Sequence, residues 1–214
     1  MKNIGKYSSN KFPLSVLDVL HVRRKSTGVI TEKNVILQNT LCDIYLTSGQ
    51  RSERKRWISL SENSDLLIWM VNLSNYYKLC YEDNKTSRLE EDLIAFEEYV
   101  NLPVFENVPV FLILSMFDRY EESLYHHSFS KFCPDFDKNK EDPNEYIKKK
   151  FQKKTKKELI IFEQNGFDEL RIEVLSKLII QKLNGGFVKN FYSYHSKLRK
   201  FSEDFHDVLF VYSK

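Results

Sequence analysis

Glycine and proline are scarce in this chain, at 6 and 5 of 214 residues. That excludes low-complexity linkers and collagen-like repeats. The three cysteines, Cys42, Cys80 and Cys133, are odd in number and far apart. They read as reduced thiols of the cytoplasm, not as a disulfide frame or metal site. No apolar run approaches the ~20 residues that a membrane helix needs, so no transmembrane segment is expected. The opening MKNIGKYSSNK lacks the apolar core of a signal peptide. Lys2 follows Met1, so the N-myristoylation pattern is missing as well. Nor is charge of one sign in excess: 33 Lys and Arg stand against 30 Asp and Glu, a net +3. Nothing in that balance points to nucleic acid. Finally, no GxxxxGK[ST] string occurs, so the common phosphate-cradling loop is absent from this sequence.

What is present is enough apolar character, 42%, for the core of one α/β domain. Residues 29–38 and 41–47 are strand candidates, with Asn39 and Thr40 as the hairpin turn. Residues 65–73 (DLLIWMVNL) and 108–114 are continuous apolar runs, which suit strands buried on both faces. Leu89, Leu93, Phe96 and Val100 recur at helical spacing within residues 86–101. A basic helix is expected over 144–154, with Pro143 near its start. A short edge strand is expected over 158–162. An amphipathic helix over 167–183 would turn Leu170, Val174, Leu178 and Ile179 to one side, ending at Asn184, Gly185 and Gly186. Strands alternating with helices indicate a parallel α/β sheet.

The most informative segment is residues 48–57, SGQRSERKRW. It follows a strand-like run and joins a flexible glycine, a carboxamide able to orient water, and a helix of alternating charge. It resembles switch II of heterotrimeric G protein alpha subunits. VLDVLHVRRKSTGVI (16–30) is similar to the family's linker into switch I. NLSNYYKLCYEDNKTSRLEEDLIAFEEYV (72–100) resembles the exit of its fourth strand and its third helix. FLILSMFDRYEESL (111–124) resembles the guanine-reading strand and loop, and CPDF (133–136) and EYIKKKF (145–151) the elements that follow. The match covers roughly residues 16–183.

The resemblance implies a partial Ras-like GTPase domain over 16–183, a mostly parallel sheet flanked by helices. Residues 1–15 would be a loose N-terminal segment and 184–214 a mainly helical extension. It further implies guanine-nucleotide switching and GTP hydrolysis with magnesium, a beta–gamma complex and a membrane receptor as partners. The place would be the cytoplasm, at the inner face of the plasma membrane. By this resemblance Arg23 is the built-in arginine finger and Gln50 the glutamine that orients the attacking water. Ser26 falls where a hydroxyl binds magnesium. Gly49 would sense the terminal phosphate through its backbone, and Asp118 would read guanine. Arg54 and Glu91 match a pair that closes switch II onto the third helix. Arg51, Lys55, Arg56 and Trp57 would dock a partner, Trp57 as the anchor.

The sequence departs from that pattern at several places. The family's first strand, phosphate loop, first helix and inserted helical domain have no counterpart. Leu46 replaces the aspartate that ends the third strand, and Ser48 a glycine. The guanine-reading NKxD stands as SMFD (115–118), and the second guanine loop as IIFEQN (160–165). Each charge-assisted hydrogen bond to phosphate contributes ~1.5–3 kcal/mol. Losing about four removes on the order of 6–12 kcal/mol, four or more decades of affinity. Hence a rival expectation: a nucleotide-free interaction module that kept the switch II surface. A third is a basic peripheral module using KKKFQKKTKK (148–157) on acidic lipid or RNA.

The missing strand belongs between residues 41–47 and 65–73. Without it two apolar strands face an empty slot. Either the chain is part of a longer protein or something else fills the gap. The tail reads first as a helix running from 188 to the chain end. Val208 to Tyr212, apolar and β-prone, is the alternative filler. Instability of the isolated chain is the favoured outcome.

Overall fold

The computed structural model describes residues 29–61, 64–165, 168–186 and 207–213. The expected α/β class is what forms. An antiparallel hairpin, β1 (Val29–Leu37) and β2 (Thr40–Ser48), opens the described part. Its turn is Gln38 and Asn39, at φ 45° and 66°, one residue earlier than the sequence suggested. Positive φ at both central residues matches the right-handed twist of the flanking strands. Next come helix α1 (Lys55–Ser61) and strand β3 (Leu66–Asn72). Helix α2 (Arg88–Val100) starts at Ser87, whose side chain accepts from the Glu90 N–H. Strand β4 (Val110–Ser115) leads into α3 (Phe117–His126) and a short turn of helix, α4 (Phe129–Phe132). Helix α5 (Pro143–Lys153) is capped by Asp142, with Pro143 in its first turn. Strand β5 (Leu159–Glu163) and helix α6 (Glu169–Leu183) follow. Gly185, at φ 75°, ends α6 in the left-handed conformation, and Gly185 and Gly186 return N–H bonds to Lys182 and Gln181.

The tail supplies the element that decides the architecture. Asp207–Ser213 is a strand, β6, and the sheet order is β1-β2-β6-β3-β4-β5. The slot is therefore filled by the chain's own tail, and a helix running on to the chain end does not describe residues 207–213. The helical stretch expected over 188–205 lies outside the described residues, as do residues 1–15. β3, β4 and β5 are parallel. β6 is antiparallel to both neighbours, from Cys42↔Ser213 to Ser48↔Asp207 on β2 and from Leu66↔Val211 to Trp69↔Val208 on β3. The other half of the sheet is thus antiparallel, through the β1–β2 hairpin and the reversed direction of β6.

Alternation along the central strands sends side chains to two layers. Leu67, Trp69, Val71, Val110, Leu112 and Leu114 join α2, α3 and α5 in the larger core. Leu66, Ile68, Phe111 and Ile113 meet Ile179 and Ile180 of α6 on the other face. The face of α6 is shifted from the expected one. Leu175, Leu178, Ile179, Ile180 and Leu183 pack inward, while Leu170 is 75% exposed. All three cysteines are buried and free.

Candidate functional site

The loop leaving β2 is folded back onto α2 by two arginines. Residues 51–54 are turns, not the first turn of a helix, and α1 begins only at Lys55. Within this loop the Arg54 guanidinium sits 2.6 Å from the Glu91 carboxylate, both side chains largely enclosed. Its Nε donates to the carbonyl of Gly49 at 3.1 Å. Arg51 donates to the same Glu91 carboxylate at 2.9 and 2.5 Å and to Asp83 at 2.9 Å. Two guanidiniums therefore share one carboxylate. Arg51 and then Arg54 hold the Glu91 carboxyl below its usual range, against the cost of burial. Asp83 is lowered as well, by the backbone N–H groups of Lys85 and Thr86 and the hydroxyl of Thr86. The Gln50 N–H donates to Ser48 Oγ at 3.4 Å.

Trp57 is not on this surface. The resemblance implies an anchor of a docking patch here, but the side chain is 2% exposed. Its indole N–H donates to the carbonyl of Ser48, and its ring packs edge-on against Trp69 at 5.4 Å and Tyr99 at 4.7 Å. One turn of α1 places Trp57 and Ser61 on the inner side and leaves Lys55 and Arg56 exposed. Arg51 is 38% exposed, with its guanidinium paired to Asp83 and Glu91. Arg23 and Ser26 lie outside the described residues.

The second cluster gathers at the carboxyl ends of β3, β4 and β5, where open α/β sheets bind ligands. Met116 has φ 58° and turns the chain from β4 into α3. Asp118 is half-buried in the first turn of that helix. The Phe117 N–H donates to the carbonyl of Gln164, and the Gln164 N–H to that of Leu114, which ties the two loops together. Behind them lies a buried ion pair missed by the sequence reading. Lys148 of α5 contacts Glu163 at 2.8 Å, with side chains 8% and 4% exposed, and also Glu145 at 3.0 Å. Burial pulls the Lys148 ammonium down, but the Glu163 and Glu145 hydrogen bonds outweigh it and leave its pKa raised. The available signal was a glutamate closing the otherwise apolar LIIFE of β5.

Lysines of the basic run are mostly engaged as well. Lys149, Lys150 and Lys154 pair with Glu141, Asp135 and Glu97. Lys157 donates to the carbonyls of Phe105 and Val108. Of the seven lysines in residues 148–157 only Lys153 and Lys156 have no partner among the described residues. That is a solvated and salt-bridged helix face more than a free polybasic patch.

A guanine nucleotide fits these residues unevenly. Asp118 keeps the acceptor that would face the base, with Met116 in place of a lysine. The phosphate side fits poorly. A phosphate loop leaves the carboxyl end of its strand. In this sheet the strand in that slot runs the other way, and its carboxyl end, Ser213, lies level with Cys42.

Comparison with known proteins agrees with the fold class and with the family resemblance. The family model described as G-protein alpha subunit matches residues 1–182. The chain belongs to the G-protein alpha subunit family. It is 36% identical over 135 residues to the guanine nucleotide-binding protein alpha-2 subunit of Kluyveromyces lactis, covering 63% of this chain and 24% of that protein. It is 30% identical over 146 residues to the guanine nucleotide-binding protein subunit alpha of Candida albicans, covering 68% and 34%. For the alpha-1 subunit of Saccharomyces cerevisiae the identity is 31% over 134 residues, 63% of this chain and 28% of that protein. The matched region thus spans about a quarter to a third of these three relatives. Among the described residues no helix is long and apolar enough to cross a membrane.

Proposed function

We propose that this chain is a signalling component of the G-protein alpha type that docks a partner through its switch II surface and does not, as this chain, hold and hydrolyse GTP. The observation that carries this reading is β6. It begins level with Ser48, at the end of the sheet where phosphate would be held, and runs antiparallel to β2 and β3. A phosphate loop has no strand to follow there. The docking surface would be the exposed Lys55 and Arg56, backed by the Arg51–Glu91–Arg54 clamp. The partner implied by the family is a beta–gamma complex.

A second reading draws on the clamp itself. Arg54 bonded to Glu91 is the closure that the resemblance assigns to an activated switch. In that reading GTP or GDP and magnesium are bound, with Arg23 and Gln50 catalytic, Ser26 on the metal, and Gly49 and Asp118 on the nucleotide. A membrane receptor would then drive exchange at the inner face of the plasma membrane. The two readings separate on one titration. A fluorescent GTP analogue with magnesium is expected to give no saturable binding to this chain at submicromolar concentration. Saturation in that range, lost on Asp118→Ala, would establish the second reading instead.

A further inference from the structure

Between the turn that follows β3 and helix α3 lies a cavity of about 240 Å³ lined by Ser74, Tyr77, Lys78, Arg119, Glu122, Ser123, His126 and His127. It shares no residue with the positions assigned above to nucleotide or metal. Lys78 and Arg119 bring permanent positive charge, His126 and His127 two imidazoles, and only Glu122 opposes them. Elsewhere the enclosed cations of Arg54 and Lys148 are closely ion-paired. Among the described residues Lys78 and Arg119 have no ion-pair partner, although both are half-buried. Both line the one cavity, so an anion bound there would meet two positive charges.

The walls are held from behind. The Tyr76 hydroxyl donates to the carbonyl of His127 at 2.5 Å, which fixes the end of α3 to the turn. Asn72 Oδ1 accepts from both the N–H and the hydroxyl of Ser74, at 3.0 and 2.7 Å. The Tyr77 ring stacks on His127 at 3.8 Å and 16°, and the Lys78 ammonium lies 5.8 Å from the Tyr77 ring centroid. Arginine's fork suits a tetrahedral oxyanion in a bidentate way, and lysine adds a point charge. The volume lies below the ~300–1,000 Å³ of drug-sized pockets, yet it leaves room for a small organic group beside the anion.

We propose that this cavity is a binding site for a small phosphate monoester, recognised by Lys78, Arg119 and the two histidines. The ester could reach it as a free metabolite or as the headgroup of a phosphatidic acid lipid. The test uses the full chain and reads the imidazole NMR signals of His126 and His127 during titration with glycerol 3-phosphate. In parallel, sedimentation follows binding to phosphatidylcholine vesicles with and without phosphatidic acid. A saturable shift at both histidines without vesicle capture supports the soluble ester. Capture only by vesicles carrying phosphatidic acid supports the lipid headgroup. In either case the double variant Lys78→Gln, Arg119→Gln should bind about tenfold or more weakly with an unchanged melting temperature. Should that variant lower the melting temperature, Arg119→Lys, which keeps the charge but loses the fork, is expected to bind more weakly than wild type at wild-type stability. A linear shift with no vesicle capture overturns the proposal, as does equal binding by variants that retain the wild-type melting temperature.

Discussion

Deletion of residues 207–214 is expected to abolish the folded monomer. β6 fills the position between β2 and β3. Removing it leaves the facing edges of two strands with unpaired N–H and C=O groups in the middle of the sheet. Those strands carry Leu66, Leu67, Ile68 and Cys42, all at most 5% exposed. Such edges either take water into the core or pair with another chain, so the truncated protein should appear as high-order aggregate in size-exclusion chromatography. Leu209→Pro gives a graded version. Proline removes a ladder hydrogen bond from a central strand, so a large loss of thermal stability is expected without any change in length. A truncated chain that stays monomeric and melts like the intact one would show that β6 does not hold the sheet together.

Trp57→Ala should be the most destabilising single truncation in the switch region. Its ring bridges the switch helix to β3 and α2 through Trp69 and Tyr99, and its N–H closes on Ser48. Removing a buried tryptophan costs about 3–5 kcal/mol, a large part of the ~5–15 kcal/mol that holds a domain together. Urea denaturation should show the lower midpoint. Lys55→Ala and Arg56→Ala, both exposed, should leave that midpoint in place and weaken capture of a beta–gamma complex in a pull-down. The reverse pattern, stable Trp57→Ala with lost capture, would return Trp57 to the surface role that its charged neighbours suggested.

Why one residue was legible and another was not follows from range. The runs of β3 and β4 announce buried strands because their partners matter less than their composition. The start of α2 at Arg88 lies two residues from the expected 86, and the stop at Gly185 falls where the sequence puts it, because both are set by local chemistry. Trp57 stands among five charges within residues 51–56, and composition alone assigns it to the surface. Only the late start of α1 at Lys55 sets which way it faces. Lys148 hides in a basic run, and its burial depends on a carboxylate fifteen positions away, Glu163. β6 is the extreme case. Its residues are β-prone, but direction and register come wholly from strands about 140 to 170 residues earlier. The Arg54–Glu91 contact was readable only through the family, since a pair so far apart in sequence leaves no local trace.

The chain's own tail is an inner strand of its sheet, between β2 and β3. Amide hydrogen exchange on the intact chain, followed by mass spectrometry, tests it most directly. Peptides covering 207–213 are expected to exchange as slowly as those covering β3 and β4, because the strand is paired on both sides. Exchange of residues 207–213 at the rate of an unstructured peptide, while β3 stays protected, would contradict it.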